Sequence, residues 1–228
     1  MRKLRGVFAI LALVTGLASY ASMASAQGLP PGQLPGFTAE WWQWALSIPA
    51  SVNPLTDTSG DNCMVGQRGP IWFLAGNLTG TPAVTRSCSV PADKALFFPV
   101  INNVGFSAPM GVCGSTGPET AARLRADIKP FIDAAQNLSV TVDGQPIKKT
   151  LNRRVQSQVF DIAIPADNLF GGGPSCPASI ISPAVDDGYY ASLDPLTPGA
   201  HTIHIQAESG SFSIDVTYDL TVAPVSLQ

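Results

Sequence analysis

The sequence predicts a mainly β protein, a single antiparallel β-sandwich of immunoglobulin-like or jelly-roll-like form. It carries one short tryptophan-rich helix near its N-terminus and one longer helix near residues 118–135. Three observations lead there. From Leu138 onward, apolar and polar residues alternate, the signature of strands with one buried and one wet face. Gly (21) and Pro (20) are abundant while charged residues make up only 13%, a composition that suits a turn-rich extracellular protein. The four cysteines lie at 63, 88, 113 and 176, an even number with no C-x-x-C pair, which points to disulfides rather than to zinc or redox chemistry.

The N-terminus reads as a secretory signal peptide over residues 1–26. Arg2, Lys3 and Arg5 form a basic start, Gly6 to Leu17 an apolar stretch too short to span a bilayer, and Ala24-Ser25-Ala26 a cleavage site before Gln27. No Arg-Arg pair and no Cys at the cut point to the twin-arginine route or to lipid anchoring. The expected location is secreted or periplasmic, and no later segment is apolar enough to be a membrane span. Without the leader's three basic residues, ten Lys and Arg face 16 Asp and Glu over 202 residues. A net charge of −6 makes nucleic acid or an anionic membrane a poor partner, because phosphate contacts are carried by Lys and Arg.

Residues 27–37, QGLPPGQLPGF, are expected to be irregular, and residues 38–228 to form one β-rich domain. The segment AEWWQWALSIPA follows. Thr38 is a suitable N-cap, and Pro49 turns Ile48 away from helix. On a helical wheel Glu40, Gln43 and Ser47 share a narrow polar stripe, with Trp41, Trp44, Ala45 and Ile48 opposite. Trp42 and Leu46 widen the apolar arc to roughly 200°, more than one packed face requires. Trp41 and Trp44 are therefore expected to be buried, with Trp42 the more exposed of the three.

GPIWFLAGN and KALFFPVIN read as fully buried strands. In TGPETAARLRADIKPFIDAAQ, Thr116 or Gly117 can cap a helix, Pro118 and Glu119 suit its first turn, and Pro130 should kink or interrupt it. LSVTVDG, VFDIAIP, HTIHIQA and FSIDVTYDLTV then alternate strictly, the last two as a hairpin across ESGS. The basic run Lys148 to Arg154 reads as a solvated hairpin. Four cysteines allow three pairings. Cys63–Cys88 is favoured because it flanks the GPIWFLAG strand, and Cys113–Cys176 because it joins two Gly/Pro-rich loops.

In order, EWWQWALSIP, GPIWFLAG, KALFFPVIN, VDDGYYASLDPLTPGAHTIHI and DVTYDLTV resemble a family of exported bacterial and archaeal proteins to which no function is assigned. The likeness covers most of the chain after the leader. It implies export and a single domain and supplies no catalytic residues. It also leads one to expect an acidic residue soon after the FPVIN run, and INNVGFSAP has none.

No sequence motif announces catalysis. His201 and His204 are three apart in a predicted strand, hence on opposite faces and unable to share a metal. His201 reads as an inward turn residue making one hydrogen bond. Asp186, Asp187 and Asp194 cluster around DDGYY, where a turn leading into a strand calls for Asp and Gly on backbone grounds. Asp57, Ser59 and Asp61 alternate in DTSGDN as weak Ca²⁺ candidates, but the loop lacks the Gly and the distal Glu of an EF-hand, so Asx-turn chemistry is the simpler reading. No cofactor is expected. The sequence thus favours an exported, non-catalytic protein that binds a surface glycan or an envelope partner or serves the envelope structurally, with Trp42 and Trp72 as the binding residues. The alternative is a secreted hydrolase using paired carboxylates or a Ser/His/Asp site assembled in space.

Overall fold

A computed structural model describes residues 29–78, 80, 82–147 and 153–224. The leader and Lys148 to Asn152, the larger part of the basic run, lie outside them. The described residues form a mainly β fold, with ten strands in two five-stranded sheets and two α-helices.

Sheet A is built from β1 (Ile71–Phe73), β3 (Ala95–Phe106), β8 (Ser179–Leu193) and β6 (Arg154–Gln156), with β7 (Phe160–Ile164) also on β8. Sheet B runs β2 (Val84–Pro91), β10 (Phe212–Ala223), β9 (Gly199–Ser209), β4 (Ala135–Val142) and β5 (Gln145–Pro146). Both sheets are mixed, which corrects the all-antiparallel expectation. β1 lies parallel to β3, and β2 parallel to β10 from Val84↔Val216 to Pro91↔Ala223. The reason is topological: β2 and β10 are far apart in sequence, so no tight turn dictates their direction. β2 itself, VTRSCSVP, was not anticipated, although its burial alternates cleanly.

The predicted alternation holds in sheet B. Ile214, Val216, Tyr218, Leu220 and Val222 of β10 are buried, as are Ile203, Ile205 and Ala207 of β9. The β9–β10 hairpin is tighter than expected. Ser209 pairs with Phe212, leaving a two-residue turn in which Gly210 adopts φ 57°, the left-handed region where a Cβ is penalised. The inner face of sheet B packs on one face of sheet A, so that Val140, Ile205, Val216 and Leu220 share a core with Leu96, Phe98, Ala191 and Leu193.

Helix α2 (Ala121–Asp133) packs on β3 and β8 through Leu124 and Ile128, which meet Val185. Its cap is Thr120, which accepts from the Arg123 N–H at 3.2 Å, later in the chain than the expected Thr116 or Gly117. Pro130 sits within the last turn without ending the helix.

Helix α1 (Leu34–Ser47) covers the opposite face of sheet A. It starts before Thr38, so the stretch 27–37 is not irregular throughout. Pro35 occupies the first turn, where its missing N–H costs nothing. Glu40, Gln43 and Ser47 face solvent as the wheel predicts. The two disulfides are Cys63–Cys88 and Cys113–Cys176, and no described cysteine is free. Such bonds persist in an oxidising compartment. No described helix is long and apolar enough to cross a membrane.

Candidate functional site

The site is organised by the three tryptophans of α1, all of them buried at 1%, 7% and 7% exposure for Trp41, Trp42 and Trp44. Trp42 is therefore no more exposed than Trp44, contrary to expectation. The cause is a partner for every indole N–H. Trp41 donates to the Leu74 carbonyl at 3.0 Å, Trp44 to the Val65 carbonyl at 3.0 Å, and Trp42 to Asp186 Oδ1 at 2.7 Å. A wheel registers hydrophobicity but cannot show an indole N–H finding a buried carboxylate, which is what draws Trp42 inward.

Asp186 and Asp187 do not sit in a turn leading into β8 but in the middle of it, both fully buried. As neighbours in a strand they face opposite sides of sheet A. Asp187 faces α2 and is neutralised by Arg154, whose Nε and Nη2 each donate at 2.7 Å, with Gln156 Nε2 donating at 3.0 Å. Arg154 also pairs with Asp133, so the end of the basic run is an ion-pair network rather than solvated surface.

Asp186 faces α1. Its Oδ1 accepts from Trp42 and from the Tyr190 hydroxyl at 2.8 Å, while Oδ2 has no partner among the described residues. Burial pushes this carboxyl up to about 8, against the lowering effect of Trp42, Tyr190 and the nearby Thr38 hydroxyl, with the charge of Asp187 adding to the rise. Tyr190, also buried, is driven well above its usual range by burial and then by the charge of Asp186. Because Tyr190 donates to Asp186, its oxygen accepts, and Asn102 Nδ2 donates to it at 2.8 Å. The chain Asn102→Tyr190→Asp186 thus runs from β3 into the interior. Gly188 allows it. A Cβ there would stand 2.6 Å from Asn102 Cβ and 2.8 Å from the Ile101 carbonyl oxygen.

Asn102 and Trp42 both line a cavity of about 490 Å³, a size typical of small-ligand sites. Residues Pro99 to Val104 all touch it. Successive side chains of a strand point to opposite faces, so a cavity touched by six consecutive residues runs along the strand's edge. That edge is open: β1 accompanies β3 only from Ala95 to Phe97, and beyond it no described strand pairs on that side. Trp41, Trp42 and Leu46 of α1 form one wall, and Phe131, Phe212 and Ile214 another. Among the described residues that line the cavity, none carries an ionisable side chain, a hydroxyl or a thiol.

Trp72 is buried between the sheets with an unpaired indole N–H, away from this cavity. The sequence-derived pair Trp42 and Trp72 is not brought together on an open rim. The DTSGDN loop forms an Asx cradle. Burial raises Asp57, but the N–H groups of Asn62, Ser59 and Gly60, with the Ser59 hydroxyl, outweigh it and hold the carboxyl below its usual range. The Ser59 hydroxyl bridges Asp57 and Asp61. Among the described residues no group of three or more His, Cys, Asp or Glu could hold a metal.

His201 and His204 fall on opposite faces of β9, as expected, and each has an aspartate: Asp143 Oδ2 at 2.8 Å and Asp215 Oδ1 at 2.8 Å. His201 makes more than the single bond expected. Its Nε2 faces the Thr197 carbonyl at 2.8 Å, closer than the Thr197 hydroxyl at 3.3 Å, so this nitrogen is not positioned to take the hydroxyl proton.

No family model, curated protein or solved structure matches the chain.

Proposed function

We propose that this is an exported, non-catalytic protein that binds its ligand in the cavity along the open edge of β3. The observation that carries this reading is the composition of the described wall: aromatic and aliphatic side chains with amides, and among those residues no group able to act as acid, base or nucleophile. The hydrolase alternative finds less support. Asp186 and Asp187 face opposite sides of the sheet, one beneath α1 and the other paired with Arg154.

The sequence suggested a glycan or an envelope partner. The predominantly apolar wall and the burial of Trp42 and Trp72 favour an apolar ligand over a sugar stacked on an open tryptophan. Export is supported by the two disulfides and by the leader-like first 26 residues, and the resemblance to an exported family agrees with both. The finer fold assignment, a single two-layer sandwich, is supported by the core that the sheets share, with both helices packed on sheet A.

The test is a thermal-shift and calorimetric screen of the mature protein against neutral apolar compounds, soluble glycans and chromogenic esters and glycosides. Saturable binding of apolar compounds is expected, abolished in Val104→Trp, which fills the cavity. Turnover of any ester or glycoside that is lost in Asp186→Asn would overturn the reading.

A further inference from the structure

The polar chain behind the cavity fixes one hydrogen-bonding group at its wall. Tyr190 donates its only hydroxyl proton to Asp186, so toward Asn102 it acts as acceptor, and the Asn102 amide must turn its Nδ2 inward. This leaves Oδ1, which has no partner among the described residues, as the end that Asn102 presents to the cavity. The arrangement does not depend on the charge of Asp186. Oδ1 of that carboxyl already accepts two bonds, so a proton would sit on the unpartnered Oδ2 and leave the chain intact. Across the strand edge, the Asn103 side chain has no hydrogen bond among the described residues. It can offer either a donor or an acceptor, so it adds polarity without choosing its sign. The Asn77 amide is occupied with the Gly80 and Pro82 carbonyls.

We infer that the cavity takes a neutral, mainly apolar molecule bearing a hydroxyl or N–H donor, and that Asn102 Oδ1 is the acceptor that selects it. Neutrality follows from the wall, whose described residues hold no charge to replace the hydration of an ionic ligand. Selection follows from the cost of burying Oδ1 unpaired against a ligand that has no donor. This inference rests on the binding function proposed above and goes beyond it in naming the ligand class and the residue that reads it.

The experiment compares 2-naphthol with 2-methoxynaphthalene, equal in apolar body but with the donor blocked in the second. Both are titrated into the mature protein and followed by tryptophan fluorescence and calorimetry. Wild type should bind the naphthol roughly tenfold to a hundredfold more tightly. Asn102→Leu should bind the two alike. Tyr190→Phe, which frees the amide to rotate, should lose most of the discrimination while retaining affinity for the methyl ether. Equal binding of both probes by wild type overturns the inference and leaves the cavity as an unselective apolar site. Binding of neither probe overturns the inference together with the cavity as a ligand site.

Discussion

The indole N–H of Trp42 meets the carboxylate of Asp186 at 2.7 Å across 144 residues of sequence. One bond thereby ties the N-terminal helix to the central strand of sheet A and sets an aromatic wall beside the β3 cavity. A carboxyl in such a place is costly when charged, because it is fully buried and its Oδ2 has no hydrogen-bond partner among the described residues.

That cost gives stability a particular pH dependence. The folded carboxyl is raised from 3.8 to about 8. Between those values the native state holds a proton that the unfolded chain has released, so stability falls as pH rises through this window. The lowered carboxyls of Asp57 and Asp215 act in the opposite sense, losing stability as pH falls below the usual carboxylate range. Wild type should therefore lose melting temperature from about pH 5 to about pH 8, and Asp186→Asn should flatten that slope. A parallel slope in the variant would show that another group is responsible.

The indoles of α1 should each matter to the fold. Trp42→Ala and Trp44→Ala are both expected to cost about 3–5 kcal/mol, since each removes a buried ring together with the hydrogen bond that its N–H donates. Trp72→Phe should cost far less, because it deletes an N–H that has no partner. Urea unfolding of the three variants gives the comparison. A Trp72→Phe loss as large as the other two would mean that its indole N–H is satisfied in solution.

Gly188 is the tightest point in the chain from Asn102 to Asp186. In Gly188→Ala the new methyl would meet Asn102 Cβ at 2.6 Å, and the obstacle is backbone and Cβ rather than a flexible tip. The expected loss is about 1–3 kcal/mol, as for an overpacked core. Binding of the naphthol probe should weaken in the same variant, because Asn102 is displaced.

The disulfides should differ in worth. Cys63–Cys88 closes a separation of 25 residues and Cys113–Cys176 one of 63. Loop-closure entropy assigns them about 3.5 and about 4 kcal/mol in turn. Paired Cys→Ala variants should rank in that order by urea denaturation, and thiol titration of the unreduced, denatured protein should find none free.

Much of the fold was legible because the physics is local. The alternation in FSIDVTYDLTV defines β10 and both its faces, and the positions of Glu40, Gln43 and Ser47 foretold the wet side of α1. The site was less legible. Asp186, Asp187 and Gly188 look like turn residues because Asp and Gly are turn residues where nothing else is known. Their burial depends on Trp42 and Arg154, which come from other parts of the chain, and on a Tyr190 hydroxyl that reaches back along the same strand. The parallel pairing of β2 with β10 and the open edge of β3 were hidden for the same reason, since strand neighbours far apart in sequence leave no local trace.

The place of β10 in sheet B bears on the order in which the molecule can assemble. The last strand of the described chain is an interior one, between β9 and β2, and its Tyr218 hydroxyl bonds both the N–H and the carbonyl of Ala75 and accepts from the buried Arg86. Until Tyr218 has been made, β2 has no neighbour in its sheet and Arg86 lacks one of its partners. A chain emerging from the ribosome receives this keystone only after the other nine described strands. Such non-local closure is slow, and it keeps sheet B incomplete until β10 has emerged.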